Sequence, residues 1–191
     1  MKFKLLTAIT LLTMLCCTAE AQTVSSKIHS RFLGYGIDRL YVYTSLQRDR
    51  VDIGSTYPAL WTPVGADGSF TFTLPRPTSG YTVRNMLQQV FGIYGNEISV
   101  SANATLSILD VRASAGGVTS EYFGPSKDGK RSHGVAFYIY ASNGVRISGR
   151  GSNGQVVDMS LSAGWNTVTV TFNGSTQYIT SQRVAWNWGT D

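Results

Sequence analysis

Five Asp-Gly or Asn-Gly dipeptides punctuate the chain: Asp67-Gly68, Asp128-Gly129, Asn143-Gly144, Asn153-Gly154 and Asn173-Gly174. Glycine, and to a lesser degree Asn and Asp, adopts the left-handed backbone that tight turns need. Around these turns run short segments rich in Thr, Val, Ile, Phe and Tyr, with apolar and polar residues alternating. Alternation at period two is the pattern of half-buried strands. The expected fold is therefore all-β, an antiparallel β-sandwich with one short helix. Ser69–Leu74 is the clearest strand, with Phe70, Phe72 and Leu74 on one face and Thr71 and Thr73 on the other. Thr167–Phe172 repeats the device, with Val168, Val170 and Phe172 expected inward. Weaker strands are expected over 39–44, 97–102, 105–111 and 177–184. One helix is predicted over 85–91, where Met86, Leu87, Val90 and Phe91 recur on one side and Gly92 offers a stop.

The register of residues 134–161 follows from two copies of Ser-Asn-Gly, at 142–144 and 152–154. Two-residue loops would place Arg146 and Arg150 on the face of Phe137 and Ile139. Three-residue loops instead pair Ala141 with Val145, Ile139 with Ile147, and Ile147 with Met159. One apolar face then gathers Phe137, Ile139, Val145, Ile147, Val157, Met159 and Leu161. The other carries Tyr138, Tyr140, Arg146, Ser148, Arg150 and Asp158. A slip of one residue inverts every side chain, so the three-residue loop is expected at both places, with Gly144 and Gly154 at positive φ.

The first 21 residues read as a secretory signal: Lys2 and Lys4, an apolar run over 5–17, and Ala19-Glu20-Ala21 as a small-x-small cleavage site. Bulky Met14 and Leu15 ahead of Cys16 and Cys17 disfavour a lipid-anchored form, and cleavage is expected before Gln22. The exported chain, 22–191, is expected to be a single β-sandwich domain. Its halves span about 22–112 and 134–191, and the Gly/Ser-rich and then charged stretch 113–133 connects them. Both cysteines lie in the signal, so thiol catalysis, thiolate metal sites and disulfides are not expected in residues 22–191. Of 16 basic residues 11 are arginine, and they are scattered rather than in runs. That speaks for a solvated surface and against a nucleic-acid partner. No transmembrane segment is expected after the signal.

Catalytic patterns are absent from the sequence. Gly149–Gly154 spells G-x-G-x-x-G, yet a strand rather than a helix follows it, so no pyrophosphate site is expected. His29 and His133 have no second ligand at a metal-binding spacing. There is no G-x-S-x-G elbow. Asp49 and Asp52 are the closest carboxylate pair, and a glycosidase pair assembled from distant strands stays open. No catalytic residue, metal or cofactor is assigned. The aromatics Tyr41, Tyr43, Trp61, Tyr138, Tyr140, Trp165, Trp186 and Trp188 divide between core packing and a surface platform. The expected platform is Tyr138, Tyr140, Arg146 and Arg150, which could stack on a glycan or pair with an anionic envelope polymer or protein.

Two segments carry a resemblance. Gly65–Pro75 (GADGSFTFTLP) resembles the turn and strand of transthyretin-like and carboxypeptidase-regulatory-like β-sandwich modules. Leu161–Asn166 (LSAGWN) before a Thr/Val strand, together with the signal and that Asp-Gly-Ser-Phe segment, is similar to small exported proteins of deinococcal-type bacteria. The resemblance implies a β-sandwich at the cell envelope and transfers no catalytic residues. Two functions remain as expectations: an exported, non-enzymatic envelope or extracellular module, structural or ligand-binding, and alternatively a hydrolase acting on envelope polysaccharide.

Overall fold

A computed structural model describes residues 22–45, 60–77, 80–95, 97–116, 118–119 and 123–189. The expected signal, both cysteines, Asp49 and Asp52 lie outside these residues. The protein is mostly β, with one large mixed sheet and two small two-stranded sheets.

The strands, in chain order, are β1 (Thr23–Lys27), β2 (Ile37–Ser45), β3 (Leu60–Pro63), β4 (Ser69–Thr73), β5 (Tyr81–Thr82), β6 (Ile98–Val100), β7 (Thr105–Ala115), β8 (Val118–Thr119), β9 (Gly124–Pro125), β10 (Gly134–Ala141), β11 (Val145–Arg150), β12 (Val156–Leu161), β13 (Gly164–Asn173), β14 (Thr176–Ser181) and β15 (Trp188–Gly189). The predicted helix is α1 (Val83–Phe91). Thr82 caps it by accepting from the Asn85 N–H, and Gly92 ends it at φ 65, in the left-handed region.

The large sheet runs β3-β2-β7-β10-β13-β14-β12-β11-β6, with β5 and β8 added on β7. It must curl. Four places separate β11 from β10, about 19 Å if flat at ~4.8 Å per strand. Only Ser142, Asn143 and Gly144 join them, a reach of at most about 14 Å. Curling brings the inner faces of β10, β13, β11, β12 and β14 together around Ile139, Val168, Ile147, Met159 and Ile179, with α1 closing the core through Met86 and Leu87. A second core lies on the outer face of β7 and β10. There Leu40, Val42, Leu109 and Val111 pack with Phe70 and Phe72 of the β1-β4 sheet, Phe123 and Trp188.

The sequence expectations divide here. Phe70, Phe72 and Leu74 point inward as expected. The whole expected apolar face of 137–161 lies in the first core, with Phe137 half-buried at its edge. Ile147 pairs with Met159 and Val145 with Leu161, and Gly154 sits at φ 79. The first Ser-Asn-Gly is a correction. It forms no hairpin, β10 does not pair with β11, and Gly144 is not among the glycines at positive φ. The reason is that both edges of β10 are occupied: Ile139 pairs with Ile108 of β7 and with Asn166 of β13. The loop therefore crosses the core as an arch, so Ile139 and Ile147 meet across it instead of side by side.

The sheet is also not purely antiparallel. β14 inserts between β13 and β12, which makes β12 and β14 parallel, with Val157 opposite Ile179. The bend between β12 and β13 is held by Asn166, whose Oδ1 accepts from the Ser162 N–H and whose Nδ2 donates to the Ser162 and Gly164 carbonyls. Phe172, expected inward, is 46% exposed because β13 runs past the core to its hairpin tip. Nor is 113–133 simply a connection: residues 113–115 belong to β7, and Phe123 is fully buried. The two halves meet within the one sheet, through β7–β10 and β6–β11.

Candidate functional site: an aromatic and arginine face on β2, β3 and β7

The expected platform of Tyr138, Tyr140, Arg146 and Arg150 is divided by the curl. All four point away from the first core, but β10 and β11 stand on opposite sides of it, so their outer faces look in opposite directions. Tyr138 stacks on Trp188 in the second core with ring centroids 6.0 Å apart, and burial pushes its hydroxyl pKa up. Tyr140 meets Trp165 edge to face, and the Trp165 Nε1–H donates to the Pro75 carbonyl. On the other wall Arg146 is exposed and bonds Asp158 at 3.1 Å, while Arg150 is exposed at the end of β11.

A different face brings aromatics and arginines together. Strand β2 alternates Arg39, Tyr41 and Tyr43 against Leu40 and Val42, and the latter two are fully buried in the second core. Among the described residues, the opposite face of β2 belongs to neither core. Tyr41 is flanked by Trp61 of β3 on one side and by Arg112 of β7 on the other, and Tyr43 lies opposite Asp110. This is the same face of β7 that begins under α1 with Leu106 and Ile108. It emerges past the edge of the first core as Asp110 and Arg112. Trp61 is 58% exposed. The Arg39 guanidinium lies over its ring, 5.6 Å from the centroid, and Arg112 lies over Tyr43 at the same distance.

Both arginines are also paired with carboxylates. The Arg39 Nε donates to Asp38 Oδ2 at 3.2 Å, and Arg112 Nε and Nη2 both donate to Asp110 Oδ2 at 3.3 Å. A hydrogen bond with Tyr41, and then Asp38, holds the Arg39 cation more firmly protonated than usual. Desolvation raises the Asp110 pKa, and Arg112 opposes the rise. Desolvation likewise raises Tyr43. The face thus offers flat rings, fixed guanidinium donors and carboxylate acceptors, with its charge balanced internally.

The other chemistry on the surface is modest. An open groove of about 430 Å³ lies where the two arches 101–104 and 142–144 meet the start of α1, lined by Thr82, Arg84, Val100, Asn103, Thr105 and Ser142 among others, and by no carboxylate. Paired hydrogen bonds stitch the arches together: Thr105 N–H to Ser142 Oγ, and Arg146 N–H to Ser101 Oγ, each 2.9 Å. Among the described residues no three His, Cys, Asp or Glu side chains are grouped to hold a metal ion. No helix among them is long and apolar enough to cross a membrane. The Gly149–Gly154 run occupies the end of β11 and the hairpin to β12, with no helix following.

The alternation of Arg39, Tyr41 and Tyr43 is visible in the sequence, and so is Trp61 as an unassigned aromatic. Their meeting with Arg112 depends on β2 pairing with β3 on one edge and β7 on the other, which no local pattern specifies. No family model, curated protein or solved structure matches this chain.

Proposed function

We propose that this is an exported, non-enzymatic β-sandwich module of the cell envelope or extracellular space that binds a glycan component there. The single observation that supports this most is Trp61, a largely exposed ring beside its cross-strand partner Tyr41, with the Arg39 guanidinium over it. Leaving a large aromatic in water forgoes the burial free energy such rings usually contribute. Here Leu40 and Val42 of the neighbouring β2 already fill the core beneath the sheet, so the ring's position is free to serve recognition. Apolar sugar faces stack on such rings, while paired carboxylates and guanidiniums supply acceptors and donors to hydroxyl groups. Because Arg39 and Arg112 are each balanced by an aspartate, the face favours uncharged sugar residues over an anionic polymer. The signal pattern over 1–21 supports an exported location. The hydrolase reading draws no support from the groove at the arches, whose lining lacks the two facing carboxyls it needs.

The test is retention of the purified protein by its own envelope polysaccharide. Trp61→Ala should weaken binding at least about tenfold, a loss of ~1.4 kcal/mol, with an unchanged melting temperature. Arg146→Ala combined with Arg150→Ala should leave retention as it was. The reverse pattern would move the site to the outer wall of β11.

A further inference from the structure

A second surface, away from the Trp61 face, gathers positive charge from two distant parts of the chain. Lys127, Asp128, Gly129 and Lys130 form a tight turn in which the Lys130 N–H donates to the Lys127 carbonyl at 3.0 Å. Asp128 has φ 55 and Gly129 φ 65, both left-handed, the geometry of a type I′ turn. Asp128 is the one non-glycine with positive φ among the described residues, and such strain persists only where the surroundings hold it. They do hold it. The His29 ring packs against Gly129, where any added Cβ would collide with it. Arg31 reaches across to donate from Nη1 to the Gly129 carbonyl at 3.0 Å. The turn is thereby fixed beside the 3-10 segment Ser30–Tyr35, and four cations come together: Arg31, Lys127, Lys130 and Arg131.

Lys127 and Lys130 are exposed and sit at the two ends of the turn, with Cα atoms within about 7 Å as in any β-turn. Asp128 is the single carboxylate in the turn, and it faces His133, with Oδ2 3.5 Å from Nδ1. Among the described residues the patch therefore keeps a net positive charge, in contrast to the Trp61 face, where each arginine has its aspartate. Basic side chains clustered on a rigid turn attract polyanions by releasing condensed counterions. Because the chain reads as exported, the polyanion such a turn would meet is a polysaccharide.

We infer that the turn Lys127–Lys130, with Arg31 and Arg131, is a binding site for an acidic polysaccharide carrying carboxylate or sulfate groups. The site is separate from the Trp61 face, and each can fail without the other. The experiment measures binding of the purified protein to heparin, with dextran as the neutral control and phosphatidylglycerol vesicles as the anionic-lipid control, between 50 and 300 mM salt, a range of roughly the kind over which counterion release is read. Heparin should bind with a log–log salt dependence that dextran lacks. Lys127→Gln with Lys130→Gln should weaken heparin binding about tenfold at the lowest salt and reduce the slope by about one to two, while the melting temperature stays unchanged. Trp61→Ala should leave heparin binding intact. Wild-type affinity and slope in the double variant would overturn the inference, as would equal binding of heparin and dextran. Binding to the vesicles without binding to heparin would also overturn it, assigning the patch to a lipid surface.

Discussion

The tripeptide Ser-Asn-Gly occurs at 142–144 and again at 152–154, with strand β11 between the two copies, and the copies do different things. At 152–154 it closes a hairpin: the Gly154 N–H donates to the Gly151 carbonyl, Gly154 lies at φ 79, and Arg150 pairs with Val156 across the turn. At 142–144 it bridges two walls of a curled sheet. Ser142 donates its N–H to the Thr105 carbonyl and its Oγ accepts from the Thr105 N–H, so the loop is anchored to the neighbouring arch rather than to itself. Turn chemistry is the same in both. The neighbours differ, because β10 has β7 and β13 on its edges, while β11 has an edge free for β12. A local turn signal is permissive, and the competition for strand edges decides how it is used.

Four measurements sharpen or break that comparison. Ile147 on β11 is fully buried in the first core and faces β10 across it. Ile147→Ala should cost about 2–5 kcal/mol in chemical denaturation, as large-to-small changes in a packed core do. A cost under ~1 kcal/mol would mean that β11 does not seal this core.

Paired cysteines test the arch directly, in a chain beginning at Gln22, which has no other cysteine. Arg146 and Ser160 are cross-strand partners, so Arg146→Cys with Ser160→Cys should oxidise and, by closing a loop of about 15 residues, add ~3 kcal/mol. Tyr140→Cys with Arg146→Cys, the partners a first hairpin would have made, should keep both thiols free in a thiol assay. Oxidation of that second pair would restore the hairpin.

The two loop glycines should differ in the same direction. Gly154→Ala should lower stability by about 1–2 kcal/mol, since a Cβ in the left-handed region is strained. Gly144→Ala should be neutral or mildly stabilising by thermal melt, because its φ is ordinary and an added Cβ meets only the Leu161 carbonyl, at 3.7 Å. Equal costs at the two positions would contradict the distinction. The smallest effect belongs to Arg146→Ala. Its ion pair with Asp158 is exposed on both sides, and a loss of under about 1 kcal/mol is expected. A larger loss would place Arg146 in a packed interface.

Facing, more than pairing, was readable from the sequence. Phe70, Phe72 and Leu74 take the inner side of β4, and Val145, Ile147, Val157, Met159 and Leu161 take the inner side of β11 and β12. In each case period-two alternation sorts apolar from polar side chains, and burial enforces the sorting. The α1 signal was equally local, with four apolar residues on one side and a glycine stop. Phe172 shows the limit of the same rule: it alternates correctly, yet its strand outruns the core that would have covered it.

The candidate site was legible only in pieces. Tyr41, Tyr43 and Trp61 stood out as aromatics, but Arg112 is 71 residues from Tyr41 and joins it only through the β2–β7 register. The platform of Tyr138, Tyr140, Arg146 and Arg150 was correct as an outward face and wrong as a single surface, because a curled sheet turns its one outer face in two directions. Alternation and turn propensity are properties of neighbouring residues, so the sequence by itself determined that this is a β protein and which side of most strands is buried. Which strands share an edge, where the sheet bends and which outward residues meet depend on long-range hydrogen-bond pairing and on the sealing of two cores, and only the tertiary structure decided them.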